Sequence, residues 1–310
     1  MKKFILSILA FSFPLFIADF LLSEKFKTAN GHMLESWYDL MHSQIDADIV
    51  IMGNSRVWVH INPLVLDSIL GSDSYNLGID GSTVNRQIHK YNLFRRYNKK
   101  PRIIIQSIDA WCMGYGTGYE KEQFYPYFWN WYMRNEFFES EPFTAFEKYV
   151  PLYRYRSFLP LSSGPRCLVK GYQGMDRHWD GSKFETIKEI KFTPNNITVK
   201  MFNDYLAKAK EEGIQVILVY TPQYIGATKK TTNQTFMHEW YQQIANRYSF
   251  PILDYTYMDI CKDTTFFYNA MHLNQEGAEI FSDSLANDLK KLLGYQLTNS
   301  NYHEKKGRVE

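Results

Sequence analysis

This sequence predicts an α/β fold wound around a central, mostly parallel sheet of five strands, and three observations predict it. Short apolar runs bounded by polar residues recur along the chain. Helical patterns separate them, as strand–helix alternation requires. The length, 310 residues, suits one large α/β domain or two small ones.

Ala47-Asp48-Ile49-Val50-Ile51-Met52-Gly53 is the first run and reads as a buried parallel strand that stops at glycine. Tyr75-Asn76-Leu77-Gly78 is shorter, and Arg102 to Ile108 is longer. Gln215-Val216-Ile217-Leu218-Val219-Tyr220 is the clearest, and Pro251-Ile252-Leu253-Asp254 is the last. Between residues 26 and 46, Trp37, Tyr38 and Met41 indicate one short amphipathic helix. Thr193-Pro194 opens a helix by a cap residue followed by proline, and Gly213 closes it. Its Val199, Phe202, Leu206 and Ala209 fall on one face. A final helix runs from about Asn274 to Gly294 on a stripe of Ile280, Phe281, Leu285, Leu289 and Leu292. In such sheets ligands bind beyond the carboxyl ends of the strands, which points at the residues after Met52, Leu77, Ile108 and Tyr220.

Two stretches stand outside this alternation. Lys2 and Lys3 precede an apolar run from Phe4 to Leu22, the layout of a membrane anchor or uncleaved signal over residues 1–25. The positive-inside rule then places the domain of residues 26–297 outside the cytoplasm, periplasmic or at the cell surface. A buried N-terminal helix is the other reading, and Asp19 favours it. From about 111 to 180 the chain carries an insertion rich in Tyr, Phe and Trp, including Phe124, Tyr125, Trp129 and Trp131. It is either a second small core, a carbohydrate-stacking platform or a lid. Residues 298–310 form a polar tail expected to fray.

Composition narrows the partners. Lys+Arg 35 against Asp+Glu 33 gives no electrostatic case for nucleic acid. Cys112, Cys167 and Cys261 are too far apart for a metal knuckle, although one bridge among them is possible. His238-Glu239 lacks the second histidine of a zinc protease, and no phosphate-cradling glycine loop occurs, so neither metal nor cofactor is expected.

Three pieces carry chemistry. Gly53-Asn54-Ser55-Arg56 puts a hydroxyl just past a strand, where turn N–H groups can face an oxyanion; the plainer reading of Ser55 is a helix cap. Gly78 allows close backbone approach. His272, in Asn269-Ala270-Met271-His272-Leu273-Asn274, stands at the entrance of the last helix.

This ordered set resembles the SGNH (GDSL-like) hydrolase superfamily, and more narrowly its membrane-anchored members linked to acylation of cell-surface polymers. The resemblance covers roughly residues 47–295 apart from the insertion. It implies a three-layer α/β/α, flavodoxin-like fold. It implies Ser55 as nucleophile and first oxyanion donor, Gly78 as second donor, and His272 as general base. His272-Leu273-Asn274 followed by Gly277-Ala278 and Phe281-Ser282 is its most specific stretch.

Two positions depart from the family pattern. Asn269 stands where the family has the triad aspartate, so it can orient the histidine but brings no charge. Asp254, Asp259 or Asp263 is the substitute carboxylate if there is one; otherwise a Ser-His dyad acts, or activity is lost. Gln106-Ser107-Ile108-Asp109 offers no third-block asparagine for the oxyanion hole, and a carboxylate at Asp109 would repel the oxyanion. Asn54 and Arg56 are the substrate-binding candidates. Arg56 either holds an anionic polymer group or pairs with a sheet-end carboxylate such as Asp109.

The function this implies is a serine esterase or acyltransferase acting on acyl, chiefly acetyl, esters of a cell-surface glycan. The alternative is a catalytically silent glycan-binding or assembly protein that partners a membrane O-acyltransferase.

Overall fold

The structure is a computed structural model. It describes residues 2–29, 33–114, 121–135, 143–156, 168–182, 184 and 187–306, with the backbone alone at 4–9 and 295–306. Helix α1 (Lys2–Lys27) and α2 (Leu34–Met41) lead to strand β1 (Ile49–Met52). Helices α3 (Ser55–His60) and α4 (Pro63–Leu70) return the chain to β2 (Ser74–Asn76), and α5 (Val84–Tyr97) to β3 (Ile103–Ser107). The described part of the insertion holds two short α-helices, α6 (Trp131–Met133) and α7 (Ala145–Tyr149), and 3-10 turns at Lys121–Tyr127 and Tyr153–Tyr155. Then come α8 (Asn196–Glu211), β4 (Gln215–Tyr220), α9 (Ile225–Thr228), α10 (Gln234–Tyr248) and β5 (Ile252–Asp254). A hairpin of β6 (Phe267–Asn269) and β7 (His272–Leu273) precedes α11 (Gln275–Lys306).

All five expected strands form one parallel sheet in the order β2-β1-β3-β4-β5. Side chains alternate across it, as a strand's two-residue period dictates. Val50, Met52, Ile104, Val216 and Leu218 face α2, α5, α8 and α10, while Ile49, Ile51, Ile105, Ile217 and Val219 face α3, α4 and α11. The result is three layers, α/β/α, with an apolar core on each side of the sheet. The chain reverses its winding between β1 and β3, which is where such sheets open a crevice. Ile51 is level with Asn76 and Met52 with Gln106, so the loops after β1, β2 and β3 leave the sheet together.

Several helix details differ from the sequence reading. Asn195, not Thr193, caps α8, its side chain accepting from the N–H groups of Ile197 and Thr198. Helix α11 passes through Gly294 and ends at Lys306. A lone glycine costs a helix only about 1 kcal/mol, and no proline follows to enforce a stop. Ile280 is exposed, whereas Phe281, Leu285 and Leu289 are buried.

The insertion packs into the same core as α2 and α5. Trp37 meets Phe124 edge-on at 5.2 Å and donates its indole N–H to Gln123 Oε1 at 2.8 Å. Phe124, Tyr125, Tyr127 and Phe128 are buried. That favours packing over a platform or a lid for these aromatics. Tyr115, Tyr119, Phe137 and Phe138 lie outside the described residues, as does Cys167; Cys112 and Cys261 are free and buried.

Among the described residues no helix is long and apolar enough to cross a membrane. The carboxyl-terminal part of α1 is docked on the insertion. Asp19 is fully buried there, ion-paired with Arg154, and accepts from Trp129 Nε1 at 2.9 Å and Leu152 N at 2.7 Å.

Candidate active site

Gly53 follows β1 for a packing reason: a Cβ there would come within 2.3 Å of Val57 Cγ2 and 2.9 Å of the Ser107 Cβ. The chain then turns directly into α3. The cap of α3 is Asn54, whose Oδ1 accepts from Arg56 N at 3.1 Å. Ser55 is therefore released from the capping role that is the commonest use of a serine at this place. Its hydroxyl instead meets His272 Nε2 at 2.8 Å.

His272 comes from the other end of the chain on the β6–β7 hairpin. Its Nδ1 is 3.0 Å from Asn269 Oδ1, the residue paired with it across the hairpin. Met271 N also donates to Asn269 Oδ1 at 2.9 Å, which fixes the amide with its oxygen toward the ring. An oxygen there can only accept, so Nδ1 carries the proton and Nε2 offers its lone pair to the serine. Asn269 thus sets the tautomer that a triad carboxylate would set. It does not supply the charge: burial first, and then the Arg56 guanidinium, depress the His272 pKa to about 3.

None of the substitute carboxylates serves the histidine. Asp254 accepts from Thr256 N and faces His238, Asp259 pairs with Lys262, and Asp263 caps the turn at Thr265. Among the described residues Asn269 is the only side-chain partner of His272 Nδ1.

Three other assigned residues are engaged within the protein. The Gly78 N–H donates to Asn76 Oδ1 at 2.9 Å, so it is not free to act as second oxyanion donor. Glycine is required at 78 because a Cβ would sit 2.7 Å from the Trp58 N of α3; the close approach is to a helix, not to a ligand. Asn54 spends both ends of its amide inside the protein, its Nδ2 donating to Asp109 Oδ2 at 2.6 Å. Arg56 pairs with Asp109 at 2.5 Å and donates to Gln223 Oε1 at 3.1 Å. Both residues brace the serine loop, and both also line the cavity at Ser55. Among the described residues the Ser55 N–H, first in α3, has no protein acceptor and remains available to an oxyanion.

Asp109 stays ionised. Burial would raise its pKa, but the Arg56 charge, the Asn54 amide and the Cys112 N–H outweigh burial and hold it below the usual carboxylate range. An ionised Asp109 cannot donate to an oxyanion, and it takes the place of the missing asparagine only as a brace. Removing one partner of so buried a pair leaves an uncompensated charge. Arg56→Met is expected to destabilise the fold by about 3–5 kcal/mol in urea unfolding.

Two residues that the sequence reading did not single out hold the site together. Asn76 Nδ2 donates to the carbonyls of Val57 at 2.8 Å and Ile61 at 2.9 Å, closing the end of α3. An asparagine inside a strand is unusual enough to have flagged it. His60, fully buried, accepts from Leu273 N at 3.0 Å through Nε2 and so ties α3 to the His272 strand. Its remaining Nδ1 has no partner among the described residues. No spacing in the sequence marks that role.

Both histidines are held neutral, and this sets an acid limit. The His60 pKa is lowered well below the usual value by burial, then by His272 and Arg56. The unfolded chain therefore binds more protons once pH drops below about 6.5. Stability is full above that pH and is lost as pH falls toward the folded-state pKa of about 3 for His272. Urea unfolding at pH 7, 6 and 5 is expected to show a decline approaching about 1.4 kcal/mol per pH unit for each neutral histidine.

The Ser55–His272 pair opens into a cavity of about 870 Å³ lined by Asn54, Gly81, Thr83, Trp111, Ile190 and Met271, among others. Trp111 is 54% exposed at its rim.

No protein-family model matches the chain. No curated protein matches it either. Solved structures are similar to it. One is a protein from Desulfitobacterium hafniense assigned to the G-D-S-L lipolytic family, at 12% identity and TM-score 0.42, covering 77% of this chain and 97% of that one. Another is a Bacteroides fragilis protein assigned as an acylhydrolase, at 15% identity and TM-score 0.37, covering 78% and 86%. A GDSL-like lipase from Bacteroides thetaiotaomicron stands at 12% and 0.37, covering 78% and 88%. At such distances what the site can do is decided by its own atoms.

Proposed function

We propose that this chain is a serine-dependent ester hydrolase or acyltransferase. The observation that carries the proposal is the relay Ser55 Oγ–His272 Nε2 at 2.8 Å with Nδ1 on Asn269 at 3.0 Å. Nucleophile, base and orienting group are already within hydrogen-bond reach. As Ser55 Oγ attacks an ester carbonyl, its proton passes to Nε2, and the oxyanion forms beside the Ser55 N–H. The imidazolium then gives the proton to the departing alkoxide, leaving an acyl group on Ser55. Water or a sugar hydroxyl repeats the sequence in reverse and frees the serine.

The substrate we assign is an acyl ester, acetyl in the first instance, carried by a surface glycan. The exposed Trp111 indole at the cavity rim supports a sugar ring there, since aromatic faces stack on such rings. A second reading, a glycan-binding or assembly protein beside a membrane O-acyltransferase, is favoured by Asn269 in the acid position and by the engaged Gly78 N–H.

A fluorophosphonate probe separates the two. Mass spectrometry is expected to find the phosphonyl adduct on the Ser55 peptide at neutral pH. No adduct at a probe concentration that labels an ordinary serine esterase would leave the binding reading.

A further inference from the structure

From Phe11 to Leu21, α1 carries much exposed apolar surface. Phe11, Phe13, Leu15, Phe16, Ile17 and Leu21 are exposed, Phe11 to 75%. At about 100° per residue these positions surround the helix with no gap wider than about 100°. A helix apolar on every side is buried whole, in a large protein core or in lipid, and here no protein core covers these exposed side chains among the described residues.

The insertion surrounds the place where this helix docks. Trp129 meets Phe16 and Phe20 edge-on at 6.3 and 6.2 Å, and Leu152 N holds Asp19. Within a few residues of those contacts, Trp131, Phe146, Tyr149 and Val150 are exposed, Trp131 to 75% and Phe146 to 61%. Asp19, the acidic residue within this apolar run, is paired with Arg154. Exposed Lys25 lies just beyond, on the polar side.

We infer that the exposed part of α1 and these insertion residues form a single bilayer-seating surface. The helix enters hydrocarbon, and Trp131, Phe146 and Tyr149 form a collar at headgroup level. The stretch from residue 10 to residue 21 rises about 18 Å, slightly more than the ~15 Å hydrocarbon depth of one leaflet. Amphipathic aromatic rings settle at the interface, and Lys25 faces anionic lipid from above it. This surface stands apart from Ser55 and His272 and does not depend on the ester chemistry.

The test uses the full chain bound to phosphatidylcholine–phosphatidylglycerol vesicles, with benzoylphenylalanine in turn at positions 13, 131, 146 and 257. Tyr257 is an exposed residue beyond edge strand β5. Lipid adducts at 13, 131 and 146, and none at 257, are expected on irradiation. Adducts at 13 alone would overturn the collar, and adducts at none of the four would overturn bilayer seating altogether. The double variant Trp131→Ser/Phe146→Ser is expected to bind the vesicles at least about tenfold more weakly with unchanged ester turnover. Unchanged vesicle binding would count against the collar.

Discussion

Replacing Ser55 by alanine is expected to lower turnover of a small acetyl ester by at least about 10³-fold, to the level left by the oxyanion donor and binding alone. His272→Ala should match it, and the double variant should be no worse than either, because nucleophile and base act as one unit. The fold should survive. Asn54, not Ser55, caps α3, and the lost hydroxyl contact is worth about 1 kcal/mol. Circular dichroism and urea unfolding check this alongside the kinetics. A Ser55→Ala protein that keeps the original rate would show that the hydrolysis does not pass through this relay.

What made Ser55 and His272 legible was local grammar. Ser55 follows the apolar run of β1, and each residue stands next to a helix start, while the β6–β7 hairpin outside the main sheet brings His272 to the serine. The strands were readable for a similar reason: they are buried on both faces and therefore continuously apolar, as in Val216 to Val219. The bracing of the site was not readable. Gly78 reads as a backbone donor, but whether its N–H is free depends on Asn76, whose side-chain oxygen accepts it from two residues earlier in the chain. Arg56 and Asp109 are 53 positions apart, and only the β1–β3 register brings them together. His60 gives no periodic signal, because its work is one long-range bond to Leu273.

The N-terminus shows a different limit. Asp19 argues for burial and the apolar run for lipid, within one helix. Asp19 is buried against Arg154, while the turns before it are exposed. Sequence patterning averages over an element and cannot say where along it the environment changes.

Asn269→Asp is expected to raise ester turnover, and the site's electrostatics say why. In the native arrangement Asn269 holds the ring with a neutral hydrogen bond, so the imidazolium formed in the transition state has only dipoles beside it and the Arg56 charge against it. A carboxylate at the same place would keep the Nδ1 tautomer and add a negative charge about 3 Å from the developing positive one. The converse change, aspartate to asparagine in a serine-protease triad, costs about 10⁴-fold in turnover; here a gain of about 10²-fold would already mark the carboxylate as the missing part. The pH profile supplies an independent sign. The new charge favours protonated His272, so the acid limb of kcat/KM should move up from its native position near pH 3 toward the ordinary histidine value. The two effects must appear together, and both must vanish in Ser55→Ala/Asn269→Asp. A gain in rate with no movement of the acid limb would mean that the substitution acts by reshaping the β6–β7 turn, where Asn269 also accepts from Met271 N, and not by charging the relay.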